Sequence, residues 1–181
     1  MTQIKVLFIA ALAVLLAACA ASGPKVRTDR DPNANLSSYK TFGFYDQLLG
    51  DRARYSTIMS NRLRAATIEQ MSKLGYTYDV RNPQLRVNFF LQVTDRVDVR
   101  STPATGFRPI AWAGYPRDIE TIGYKAGTLR IDLVDVARSS SVWQGVAEGK
   151  IPEETLRNPG PAVDEAVRSI FRQFPDAQPR N

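Results

Sequence analysis

The chain has 181 residues, 44% of them hydrophobic and 23% charged, with 11 glycines, 11 prolines, one cysteine and no histidine. These values exclude collagen-like, low-complexity and disulfide-scaffold classes, and without histidine there is no Ser-His-Asp or Cys-His relay, no His-ligated metal and no histidine switch. The basic excess, 24 Lys and Arg against 18 Asp and Glu, is mild; it suits a solvated face or an anionic surface nearby better than a nucleic-acid binder.

The first eighteen residues read as a signal segment rather than as part of a fold. Met1 to Lys5 carries one lysine, Val6 to Leu16 is an apolar run of eleven residues, and Ala17-Ala18 precedes Cys19. The run is short for a permanent span of ~30 Å of hydrocarbon and suits a secretory h-region. Leu16-Ala17-Ala18-Cys19 resembles the lipobox of bacterial lipoproteins. That resemblance implies cleavage between Ala18 and Cys19, a diacylglycerol on the cysteine sulfur and an N-acyl chain on the new terminus. Cys19 has no disulfide partner, being the sole cysteine. Ala20 rather than Asp follows it, which by resemblance to the sorting rules of diderm bacteria favours the outer membrane. Residues 19–31 are small, polar and charged and read as a lipidated tether; residues 32–176 read as one domain and 177–181 as a disordered tail.

Within the domain, Tyr39 to Phe44 reads as a strand. Met59, Leu63, Ala66, Met71 and Leu74 recur near a 3.6 period and predict a helix, with Gly75 placed to end it. Arg62, Arg64, Glu69 and Lys73 occupy its other face, Glu69 to Lys73 being a favourable i,i+4 pair. Leu85, Val87, Phe89, Leu91 and Val93 alternate with Arg86, Asn88, Phe90, Gln92 and Thr94, the clearest strand. Thr128 to Val136 and Val142 to Gly149 are further strands, joined by a Ser-rich turn. Val163, Ala166, Val167, Ile170, Phe171 and Phe174 form an apolar stripe on a closing helix. Pro161 is expected at its start, Asp164 and Glu165 in its first turn and Arg168 and Arg172 toward its end. One-sided strands and two apolar stripes predict an α+β two-layer sandwich, a mainly antiparallel sheet with two amphipathic helices packed on one face. Residues 96–125 hold Pro103, Pro109, Pro116, Gly106, Gly114 and Gly123 and read as a long loop.

The ordered set Tyr39-Lys40-Thr41-Phe42, Leu74-Gly75-Tyr76, Asn82-Pro83-Gln84-Leu85-Arg86-Val87, Gly127 to Asp135, Val142-Trp143-Gln144-Gly145 and Phe174-Pro175 resembles the bacterial envelope lipoproteins grouped as domain of unknown function 4136. The resemblance implies a lipid-anchored α+β domain in the envelope and brings no catalytic residues. Gln84 departs from the family pattern, which usually has Asp after the proline, and that puts a carboxylate role there in doubt.

Asp132 and Asp135 are the best-placed carboxylates for acid/base chemistry. Three residues of extended strand span roughly 10 Å and turn the pair to opposite faces, so Asp132 is expected on the solvated face beside Arg130, and Asp135 at the start of a turn. Ser139-Ser140-Ser141 reads as that turn. Neither phosphate-binding glycine motif nor calcium-loop spacing occurs, so neither catalytic residues nor metal ligands nor a bound cofactor are expected beyond the lipid on Cys19. Trp143 reads as a core aromatic. Phe90 interrupts a polar face: either the 96–125 loop covers it, the favoured reading, with Phe107, Trp112 and Tyr115 as the cover, or a small apolar patch is exposed there and Phe90, Phe107, Trp112 and Tyr115 mark a partner or ligand surface. Arg52, Arg54, Arg62 and Arg64 form a candidate basic patch around the first helix. The expected function is a non-enzymatic envelope interaction or structural module on the periplasmic side of the outer membrane. Its partners would be the membrane through its anchor and an envelope protein or anionic envelope polymer, not nucleic acid. The alternative is a binding domain for a lipidic or small apolar ligand between the sheet and the 96–125 segment.

Overall fold

The computed structural model describes residues 23–46, 48, 57–103 and 117–175. Expectations for the signal segment, Ala18, Cys19, Arg52, Arg54, Phe107, Trp112, Tyr115 and the 177–181 tail lie outside the described residues.

Six strands form one sheet: β1 (Lys25–Arg30), β2 (Thr41–Phe44), β3 (Thr77–Tyr78), β4 (Leu85–Pro103), β5 (Arg117–Asp135) and β6 (Ser140–Ile151). The order is β1-β6-β5-β4-β2-β3. The β1–β6, β6–β5 and β5–β4 pairs are antiparallel, whereas β2 runs parallel to both β4 and β3. The helices are α1 (Ile58–Lys73), α2 (Glu153–Arg157) and α3 (Gly160–Phe171). Helices α1 and α3 pack against each other, and α3 also lies on β6 and β1. The α+β architecture expected from the sequence is therefore present.

One sheet face carries the core. Leu85, Val87 and Phe89 of β4 stand opposite Asp135, Leu133 and Ile131 of β5, and Leu133 and Ile131 stand opposite Trp143 and Gly145 of β6. Phe42 and Phe44 of β2 continue the layer beside Leu85 and Val87. Trp143 is buried and stacks on Phe171 at 5.6 Å between ring centres, with Phe174 at 4.9 Å. A large side chain so placed contributes on the order of 1.5–3 kcal/mol by leaving water. Gly145 is where α3 comes closest: a Cβ there would strike Ile170 and the Trp143 ring. A register shift between Leu133 and Val134 leaves Val142 as an extra residue in β6, and Val142 is buried as well as Trp143.

Helix α1 is capped at Thr57, whose hydroxyl accepts from the Ser60 amide at 3.0 Å. It ends as expected: Gly75 has φ of +86°, and Tyr76 and Gly75 donate to the carbonyls of Met71 and Ser72. Its buried row is Ser60, Leu63, Thr67 and Met71, with Met59, Ala66 and Leu74 half-buried at its margins. In α3 the expected stripe is buried, but the helix begins at Gly160 and its first turn holds no acid. Asp164 and Glu165 fall in the second turn and pair with arginines instead.

Two segments differ from the sequence reading. Residues 25–30, expected in the 19–31 tether, form an edge strand along β6, Lys25 opposite Glu148 and Arg30 opposite Trp143. Val26 is the one large apolar residue in it, as suits an edge protected by charge. The expected 96–125 loop is largely strand: β4 and β5 remain paired from Leu85–Asp135 out to Pro103–Arg117. Because β6 stops at Ile151 opposite Lys125, residues 96–103 and 117–124 pair only with each other and project as a two-stranded ribbon.

Candidate functional site

The sheet face opposite the helices is polar. Across its centre Asn88, Asp132 and Gln144 lie in one row, and Phe90, Arg130 and Val146 in the next. Arg130 pairs with Asp132 at 3.2 Å and stacks on Phe90 at 5.1 Å, while Gln144 donates to Asp132 at 2.9 Å. The Asp132–Arg130 pair matches expectation; its exposure does not, because these neighbours reduce Asp132 to 9%. Arg27 of β1 pairs with Glu148 at 2.8 Å. Arg86 has no such carboxylate among the described residues: its guanidinium lies 5.6 Å from the Tyr45 ring, and its Nε is buried without a partner. Tyr45, Asp46, Arg86, Asn88 and Val134 line an open cleft of about 500 Å³.

Asp135, at the end of β5, is buried and fully engaged. It accepts from the Arg138 amide at 3.0 Å, from Arg138 Nε at 2.7 Å and from the Tyr39 hydroxyl at 2.7 Å. The Arg138 amide and guanidinium, then the Tyr39 hydroxyl, hold its carboxyl down to about 2, from an ordinary 3.8. Burial, then the bond to Asp135, pushes the Tyr39 phenol up. This acid is committed to structure: it closes the turn before β6 and ties it to the entry of β2. Ser139, in that turn, takes a positive φ of 50°.

Phe90 is 43% exposed, with the Arg130 guanidinium over its ring; the loop aromatics expected to cover it lie outside the described residues. Neither described cleft is lined by Phe90; the second runs along the helices, between Arg62, Glu69, Asp164 and Arg168. Of the candidate basic patch, Arg62 and Arg64 are described, and they engage different partners. Arg62 reaches α3 and donates twice to Asp164, at 3.0 and 2.8 Å, holding that carboxyl below its ordinary range. Arg64 lies over the Phe44 ring at 5.1 Å and donates to the Tyr45 carbonyl at 3.4 Å.

The sequence reading missed the ribbon. Val93, Val97 and Val99 continue the core face of β4 into water and are 50%, 60% and 67% exposed. Opposite Val93 and Val97 stand Gly127 and Gly123, which add no side chain. At the ribbon's root Lys125 pairs with Asp95 at 2.6 Å, and Lys150 pairs with Asp98 while lying 4.1 Å from the Tyr124 ring. The alternation Arg96-Val97-Asp98-Val99-Arg100 was the available signal.

These features define a two-layer α+β domain with one helix-covered face, one open polar face and a projecting β-ribbon. The model of the domain of unknown function family DUF4136 matches residues 26–176, and the chain belongs to that family. No curated protein matches it. Among solved structures, a DUF4136 family protein from Bacteroides thetaiotaomicron superposes with a TM-score of 0.54 at 16% identity, over 88% of this chain and all (100%) of that one. A PDZ domain protein from Parabacteroides distasonis gives 0.59 at 13% identity, over 84% of this chain; this chain spans only 35% of that protein's length. At these identities the likeness concerns the fold. Among the described residues no helix is long and apolar enough to cross a membrane, which says nothing of β-barrels.

Proposed function

We propose that this DUF4136 protein is a lipid-anchored component of the bacterial envelope, held at the periplasmic face of the outer membrane through Cys19, whose domain serves as a non-catalytic interaction or structural module. The observation that carries the reading is Leu16-Ala17-Ala18-Cys19 after an apolar run, with Ala20 following and β1 starting six residues past the cysteine. Two or more acyl chains, at ~0.8 kcal/mol per buried methylene, hold a protein at a bilayer essentially permanently. Four of the described carboxylates support a module over an enzyme: Asp132, Asp135, Asp164 and Glu165 are each bound to arginine or glutamine, so none of these four stands free as an acid or base. The anchor is tested by labelled palmitate in cells. Incorporation lost in Cys19→Ser supports it, and equal labelling of that variant refutes it.

A further inference from the structure

Leash and ribbon leave the domain from the same end of the sheet. Lys25 lies in a row with Glu148, Thr128 and Gln92, and β1 runs from that row away from the ribbon. The chain before Lys25 therefore heads the way the ribbon points, with Pro24 packed beside Gly149. From Cys19 to Lys25 is six residues, which reach at most about 21 Å however they run. From Gln92 strand β4 continues to Pro103 for roughly 37 Å at ~3.4 Å per residue, its last eight residues as the ribbon. Three strand spacings, roughly 15 Å, separate the two laterally. The ribbon's end thus extends further from that row than the leash can reach. Even with the coil natural to a two-stranded ribbon, the ribbon is long enough to meet a bilayer that holds Cys19.

One face of what it brings there is mostly apolar. Val93, Val97 and Val99 project from it, Gly123 adds no side chain opposite Val97, and the Asp95–Lys125 ion pair interrupts the stripe between Val93 and Val97. Residues 96–103 and 117–124 hold as many acids (Asp98, Asp118, Glu120) as bases (Arg96, Arg100, Arg117), so attraction to anionic lipid is not the driving force. An isolated two-stranded ribbon is marginal in water, and lipid contact would cover the stripe that the domain leaves open. We infer that the β4–β5 ribbon is a second membrane contact, its valine stripe lying on the bilayer to which Cys19 tethers the chain. The inference rests on the anchor reading for its geometry.

The test measures amide exchange of residues 96–103 and 117–124 in the full chain on phosphatidylcholine vesicles, against Cys19→Ser in solution. Vesicle flotation reports the anchor separately. If the native chain does not float, the anchor reading fails; the chain starting at Cys19 is then coupled through that thiol to a maleimide phospholipid, and the ribbon is measured in the same way. The expected result is slowing of roughly tenfold or more in the ribbon, independent of added phosphatidylglycerol and lost in Val97→Asp/Val99→Asp, with α3 unchanged. Unchanged exchange on floated vesicles overturns the inference. So does slowing that disappears when chains are diluted to one per vesicle, which would assign the stripe to a second copy.

Discussion

The Tyr39 hydroxyl donates to Asp135 at 2.7 Å and accepts from Arg138 at 2.9 Å, joining residues 96 positions apart into one half-buried polar knot. It fastens the segment entering β2, which runs parallel to β4, to the turn that closes β5. Asp135 is charged in the fold well below the pH at which it would be protonated in the unfolded chain. Its contribution is therefore complete above the ordinary carboxylate value of 3.8 and declines as pH falls toward about 2. Melting between pH 5 and 2 is expected to show a steep loss of stability in the native chain and a flatter one in Asp135→Asn. Parallel curves would show that other acids dominate the window.

Gln84 performs an acceptor's task at the entry of β4. Its Oε1 accepts from the Lys40 and Thr41 amides at 2.6 and 3.2 Å, and its own amide donates to the Thr41 hydroxyl at 3.0 Å. A carboxylate of the same reach would serve those two donors. Gln84→Ala is expected to lower stability by about 1–2 kcal/mol, and Gln84→Glu to keep the clasp. Denaturant titration of both variants decides between this role and a merely exposed side chain.

Gly145 is set by contact rather than by backbone angle. A methyl there meets Ile170 and the Trp143 ring, both fully packed in the core. Gly145→Ala is expected to cost about 1–3 kcal/mol by overpacking, and Gly145→Val more. Partial recovery in Gly145→Ala/Ile170→Val would locate the strain, while a neutral Gly145→Ala would mean that α3 shifts freely.

Exchange along β4 of the unlipidated chain in solution should be graded. The Val87 amide lies in a strand flanked on both sides by β2 and β5, whereas Val97 and Val99 lie in the ribbon. Protection at residue 87 is expected to exceed that at 97 and 99 by roughly 100-fold. Uniform protection along the strand would mean that the ribbon is supported by more than its own ladder.

Burial asymmetry decided what could be read from sequence. The strand from Leu85 to Phe89 and the stripe from Val163 to Phe174 each bury one face, so their periods stand out, and Gly75 ended α1 as its position required. Strand β1 did not announce itself, because an edge strand of Lys, Arg, Thr and Asp has only Val26 to bury. The ribbon has no buried face; its prolines and glycines outweighed the alternation of Val97 and Val99 with charge. Position along a helix was misread for Asp164 and Glu165 because α3 starts earlier than Pro161. The Arg130–Asp132 pair was legible from strand parity alone. The Arg86–Tyr45 stack was not, since it depends on β2 turning past β4, a relationship between segments 41 positions apart.

The pairing of β1 with β6 also sets an order of assembly. The first strand of the domain waits for partners more than 110 residues downstream, from Trp143 to Glu148. During synthesis the β4–β5 hairpin closes on nearby residues, while the amino-terminal border stays unzipped until nearly the whole chain has emerged. A polypeptide of this design is slow to commit to its final shape, and a truncation ahead of residue 143 would leave its opening strand without a neighbour.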